Sequence, residues 1–267
     1  MKGIIFAGCS FTWGQGLYYY SDLPNINKLS DNEFHQNKIT DSQIKFKNTL
    51  YFPRLVANHF NTFEIVKRYN GGSDFDSMEF VEDFFDGKMG FFGKFIYEDF
   101  SYIIFQTSQI VRNKFSFTFE DVNYEINFNK NQLILNENEK IFMKWLSQNN
   151  LTYNSWYHTY REQIFQKIKN FLKKYEDFGI KTKIICWQDD ILEFILNDVE
   201  MSKKLVILEY ENKEYKCIDY LQKLNDGMMI FNDTENLNDP PMDTHPSKKC
   251  HQIIADSIIK SIEKDRL

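Results

Sequence analysis

Five apolar-type residues, Gly3 to Ala7, open the pattern of this chain, and a stripe of Cys250, Ile254, Ile258 and Ile262 at helical spacing closes it. A short apolar run that ends in Gly8 reads as a strand covered on both faces, with Gly8 to Gly16 turning into a helix. Leu50 to Phe60 predicts a helix entered near Pro53, and Phe63 to Tyr69 a second strand. After the turn Asn70-Gly71-Gly72-Ser73-Asp74, the segment Asp76 to Phe85 turns Met78, Val81, Phe84 and Phe85 inward on a helix. Phe100 to Phe105 is a charge-free third strand that ends at Gln106-Thr107-Ser108-Gln109. Helices over Glu139 to Gln148 and Thr159 to Phe178 follow, the second stopped by Gly179. Lys183 to Trp187 gives a fourth strand and Asp189 to Asn197 a helix. Repeated strand, turn and helix units predict a parallel sheet covered on both sides, with the polar turns gathered along its carboxyl edge.

Two stretches break this rhythm. Between Asn113 and Asn136 the period becomes two, with Phe115, Phe117 and Phe119, then Tyr124, Ile126 and Phe128, alternating with polar residues before Leu133-Ile134-Leu135. A small antiparallel meander inserted at 113–136 in the α/β core accounts for it. Leu17 to Asn48 is polar, aromatic and weakly periodic, the pattern of a lid or rim across the active face. Between Leu205 and Asn232 the pattern supports a strand at Leu205 to Leu208 and a helix near Ile218 to Leu224. Met228 to Phe231 is a candidate to complete the sheet. Ser247 caps the final helix. No linker divides residues 1–267, so a single domain is expected.

A charged fraction of 26% against 42% hydrophobic residues describes a globular chain, and the formal charge of -6 argues against a nucleic-acid partner. The lysines from Lys167 to Lys174 alternate with Phe171 and Leu172, as on a solvated helix face. Cys9, Cys186, Cys217 and Cys250 have neither metal-ligand spacing nor the density of a disulfide framework, and reduced thiols are expected. The apolar run after Met1-Lys2 is too short for a signal peptide and no stretch approaches a membrane span. Cytoplasmic synthesis is the expectation, with the final location left open.

Chemistry concentrates at two distant places. Ser10, just past the first strand and near the amino end of a helix, stands where unpaired backbone donors stabilise negative charge, although a helix cap is an equally ordinary use of such a serine. Asp243-Thr244-His245-Pro246 supplies a carboxylate two residues from an imidazole, able to orient one ring nitrogen while the other faces Ser10. His251, inside the last helix, is expected on its surface or in its packing, and Cys9 in the core. Asp74 and Asp76 beside Asp189 or Asp190 lack metal-ligand spacing and read as helix caps and hydrated turns. The glycines fall short of a phosphate loop. No metal and no cofactor is implied.

Gly8-Cys9-Ser10-Phe11-Thr12 with Gly14, Asn70-Gly71-Gly72-Ser73 and Asp243-Thr244-His245-Pro246 resemble the first, second and last blocks of the SGNH hydrolases, the GDSL esterase/lipase superfamily. The resemblance implies a three-layer α/β/α flavodoxin-like fold, with Ser10 as nucleophile, His245 as base and Asp243 as its orienting acid. It also implies an oxyanion hole from the amides of Ser10 and Gly72 and a third-block asparagine. Here the chain departs from the family: Gln106-Thr107-Ser108-Gln109 stands at the third block and puts Ser108 in the asparagine place, with Gln106 or Gln109 within reach as substitutes. Loss of one such donor costs about 3 kcal/mol of transition-state stabilisation.

The expected activity is hydrolysis of a carboxylic ester on a small molecule or carbohydrate. An O-acetyl sugar is attractive because Trp13 and Tyr18 to Tyr20 can line a groove or equally pack the long loop. The competing expectation is an inactive or weakly active SGNH-like scaffold that binds glycan or serves a structural role. Oligomeric state is not legible.

Overall fold

A computed structural model describes residues 2–9, 12, 17, 41–67, 72–89, 95–126, 137–222 and 246–267. Its centre is a four-stranded sheet of β1 (Gly3–Ala7), β2 (Glu64–Val66), β3 (Phe100–Gln106) and β6 (Lys181–Ile185), in the order β2-β1-β3-β6. Every neighbouring pair is parallel. The chain starts in the middle, steps to one side for β2 and returns past β1 for β3, so the direction of winding reverses between β1 and β3. In sheets of this kind ligands bind beyond the carboxyl ends of the strands at that reversal.

Alternation within the strands divides the core into two faces. Ile5, Ala7, Ile103, Phe105 and Ile184 point to one, packed with α3 (Asp74–Phe85), the 25-residue α5 (Tyr153–Asp177) and α4 (Glu137–Gln148). Ile4, Phe6, Tyr102, Ile104 and Ile185 point to the other, against α2 (Phe52–His59) and α9 (Lys248–Lys264). Helices therefore cover both sides of the sheet, as the strand patterns require. α1 (Asp41–Leu50) corrects one expectation: the last part of the presumed lid, through Asn48, is helical. Its apolar positions are too sparse for periodicity to announce it, and it packs on α2 and α9. Residues 18–40 of that stretch lie outside the described residues.

The inserted segment forms a hairpin of β4 (Phe115–Phe119) and β5 (Val122–Ile126), antiparallel with Phe119 opposite Val122. Glu120 and Asp121 both have positive φ, 50° and 61°, the left-handed pair that a two-residue turn of this twist requires. Phe128 and Leu133 to Leu135 lie outside the described residues. The hairpin brings Phe115 against Trp156 (5.0 Å between centroids) and Tyr160 (5.2 Å), and Phe142 against Trp156 (4.7 Å). Much of the chain's aromatic excess is thus core, each ring contributing roughly 1.5–3 kcal/mol by burial. α5 begins earlier than periodicity suggests because Thr152 caps it with Ser155, and Gly179 (φ 84°) ends it as expected.

Among the described residues, the sheet is extended beyond β6 only by isolated parallel bridges, Ile184 to Leu205 and Cys186 to Cys217. The expected strand at Leu205 to Leu208 is corrected accordingly. After α6 (Leu192–Asn197) and α7 (Val199–Lys204), the regular strand is β7 (Leu208–Tyr210), paired antiparallel with β8 (Lys213–Tyr215) and followed by α8 (Ile218–Gln222). Their turn uses Glu211 and Asn212 at positive φ, without glycine. Met228 to Phe231 lies outside the described residues.

α9 runs against the strand direction. At its end, the Asp265 carboxylate receives the buried Lys183 ammonium at 2.8 Å and its carbonyl receives Lys181 at 3.2 Å, both at the amino side of β6. At its start, His251 accepts a hydrogen bond from the Phe52 amide (3.3 Å), and Phe52 packs edge-on to Phe6 near the end of β1. The first turn of α9, capped by Ser247, therefore stands towards the carboxyl edge of the sheet. His251 is fully buried and stacked on Phe52, the packing role expected of it.

Candidate functional site

Three strand ends are tied together at this edge. Gly8 follows β1 so closely against its neighbours that a Cβ there would lie 2.2 Å from Thr12 Oγ1 and 2.8 Å from Gln106 Cβ. Only glycine fits. Thr12 donates its hydroxyl to Gln106 Oε1 (2.6 Å), while Gln106 Nε2 donates to Cys9 Sγ (3.0 Å). The glutamine at the end of β3 is thus a buried clasp on the turn that leaves β1, and Cys9 has the structural place expected of it.

The second and third blocks meet through Ser108. Its hydroxyl donates to the Gly72 carbonyl (2.7 Å), and its amide donates to Asp74 Oδ1 (2.7 Å). Asn113 Nδ2 reaches the other oxygen of the same carboxylate at 2.9 Å, and Asn113 Oδ1 receives the Phe75 amide at 3.4 Å. Asp74 is therefore no hydrated turn residue, as the sequence suggested, but a buried acceptor that holds the loop after β3 against the start of α3. Burial pushes its carboxyl up to about 6, opposed by the Asn113 and Ser108 hydrogen bonds and aided by the nearby Asp190. Asp76 has the capping role expected, accepting from Ser73 N–H (2.7 Å) in a capping box at α3.

Two cations at this edge escaped sequence reasoning. Lys67, the residue after β2, is buried, and its ammonium has no hydrogen-bond partner. It fills the space beside Gly72, 2.7 Å from where a Cβ on that glycine would stand. Burial lowers its pKa against the attraction of Asp76, Cys9, Asp74 and Glu79. The available signal was a lysine directly after a buried-type parallel strand. Arg112 lies with its guanidinium 4.7 Å from the centroid of Trp187, just past β6. Gln109 is half-buried and caps the 3-10 turn Ile110–Arg112, its carbonyl receiving the Arg112 amide at 2.9 Å.

Among the expected site residues, Gly72, Gln106 and Ser108 converge at one edge, with Gln109 next in sequence. Ser10, Trp13, Asp243 and His245 lie outside the described residues, as do Tyr18 to Tyr20. Their sequence neighbours Cys9 and Pro246 are buried. Among the described residues no group of three His, Cys, Asp or Glu side chains is arranged to hold a metal, and no helix is long and apolar enough to cross a membrane. Asp189 instead receives the Tyr220 hydroxyl (2.7 Å), and Asp190 the Ile110 amide and Tyr157 hydroxyl, each at 3.3 Å. Comparison with protein-family models, curated proteins and solved structures finds no match. What the geometry defines is an α/β chain with a parallel sheet whose carboxyl edge carries a buried, hydrogen-bonded polar cluster.

Proposed function

We propose that this chain is a serine hydrolase of SGNH type that cleaves a carboxylic ester, an O-acetyl group on a carbohydrate being the favoured substrate. Ser10 attacks the ester carbonyl while His245, oriented by Asp243, takes its proton. The carbonyl electrons move to oxygen, and collapse expels the alcohol, which receives the proton from His245. Water then attacks the acyl-enzyme with His245 again as base.

The observation that carries this reading is the gathering of strand ends at one edge. The first block contributes Gly8 and Cys9, the second Gly72 and the third Ser108, linked by Gln106 and by the Ser108 to Gly72 bond. The helix that follows the Asp243 to His245 segment starts towards that same edge. A second reading, a glycan-binding or structural protein on the same scaffold, is favoured by one specific contact. The Ser108 hydroxyl, in the asparagine place, spends its proton on the Gly72 carbonyl.

The deciding experiment compares wild type with Ser10→Ala and His245→Ala on short-chain activated esters and acetylated sugars, together with intact-mass labelling by a serine-reactive phosphonate. Labelling at Ser10 that disappears in His245→Ala, with turnover lost in both variants, is the expected result. Equal turnover by wild type and Ser10→Ala rejects the serine mechanism. A folded wild type that is neither labelled nor active selects the binding protein.

A further inference from the structure

With the Ser108 hydroxyl and the Gln106 amide both committed, the third oxyanion donor of the proposed hydrolase is left to another group. Lys67 has the attributes such a group needs. Its side chain is 3% exposed, and its nitrogen carries N–H donors that no acceptor receives. It follows β2 at the carboxyl edge and lies against Gly72, the residue expected to offer a backbone amide to the same oxygen. A lysine held only by folding would have found a carboxylate. Asp76 is near but makes no hydrogen bond to it, its Oδ2 receiving both Ser73 donors, while each oxygen of Asp74 is taken, by Ser108 and by Asn113. An unsatisfied buried donor is costly, and its persistence beside a candidate reaction centre is intelligible if an anion completes it.

We infer that Lys67 is the cationic donor of an anion site at the end of β2, binding the oxyanion of the tetrahedral intermediate beside the Gly72 amide in place of the missing asparagine. The inference rests on the serine hydrolase reading for the identity of the anion. The attraction of the ammonium grows as the carbonyl oxygen becomes charged. It therefore acts on the barrier rather than on substrate binding.

Lys67→Met keeps the stem and removes the donor; Lys67→Gln keeps N–H donors and removes the charge. Each is measured in two ways beside wild type. Turnover of an activated acetate ester is expected to lose about 100-fold or more in kcat with KM little changed in Lys67→Met, and less in Lys67→Gln. Thermal unfolding with and without sulfate, chosen as a tetrahedral anion probe, is expected to show sulfate stabilisation in wild type that is absent in Lys67→Met, with chloride at equal ionic strength as the control.

A Lys67→Met enzyme that keeps wild-type kcat, or sulfate stabilisation identical in both proteins, overturns the assignment. Lys67-dependent sulfate binding in a protein that hydrolyses no ester retains the anion site and discards the hydrolase reading. Should Lys67→Met fail to fold, Lys67→Gln decides: unchanged kcat and unchanged sulfate response refute the inference.

Discussion

Asp74→Asn separates the cost of burying a charge from the value of the hydrogen bonds that charge receives. The carboxyl of Asp74 is raised from 3.8 to about 6 in the folded protein. Between these values the native state holds a proton that the unfolded chain has released, so stability falls as pH rises, and it levels off above pH 6. At about 1.4 kcal/mol for each pH unit of displacement, ionised Asp74 costs the fold about 3 kcal/mol relative to its protonated form. Asparagine escapes this cost but has one acceptor oxygen for the two donors that now meet the carboxylate, Ser108 N–H and Asn113 Nδ2. One donor loses its acceptor, at about 1–3 kcal/mol. The variant is therefore expected to be less stable than wild type near pH 4, with the deficit shrinking by about 2–2.5 kcal/mol by pH 7, since the unfolded carboxyl is already partly ionised at pH 4. Urea unfolding of both proteins at each pH from 4 to 8 reads this directly, because the other carboxylates cancel in the difference. A difference that stays constant with pH, or widens as pH rises, refutes the argument that burial governs this group.

Gly8→Ala is expected to destabilise by about 1–3 kcal/mol or more, since the new methyl enters the contact among Thr12 and Gln106. Adding Thr12→Ala should restore part of the loss, and strictly additive effects in urea unfolding would contradict the clash. All four cysteines are buried, and burial pushes the Cys186 and Cys250 thiols well above their ordinary range. The native protein at pH 8 is expected to resist iodoacetamide over a period in which the urea-unfolded chain is fully alkylated, and a rapidly modified thiol in the folded protein would contradict that packing.

Local pattern was sufficient where one element buries one face. The period of the apolar residues located β1, β3, α3, α9 and the carboxyl end of α5 within a few residues, and the caps at Ser247 and Gly179 marked helix ends, because those signals act within a turn of the chain. The alternating phenylalanines likewise announced the hairpin, although its turn escaped notice because Glu120 and Asp121 take a conformation usually given to glycine or asparagine. α1 was hidden for a related reason: its helix is held by neighbours rather than by a stripe of its own. At the candidate site, sequence named Gly72, Gln106 and Ser108 but not the partners they meet. Which acceptor a serine meets depends on a residue 36 positions away, and whether a lysine finds a carboxylate depends on every element packed around it. Such pairings are set when β2 and β3 come to flank β1, and no local spacing encodes them. Sequence alone thus determined the layered α/β plan and the residue types at the carboxyl edge of its sheet. Only the tertiary structure decided that Asp74 is a buried acceptor, that Ser108 is already engaged and that Lys67 is left with a donor to offer, because burial and partnership are properties of the assembled sheet edge.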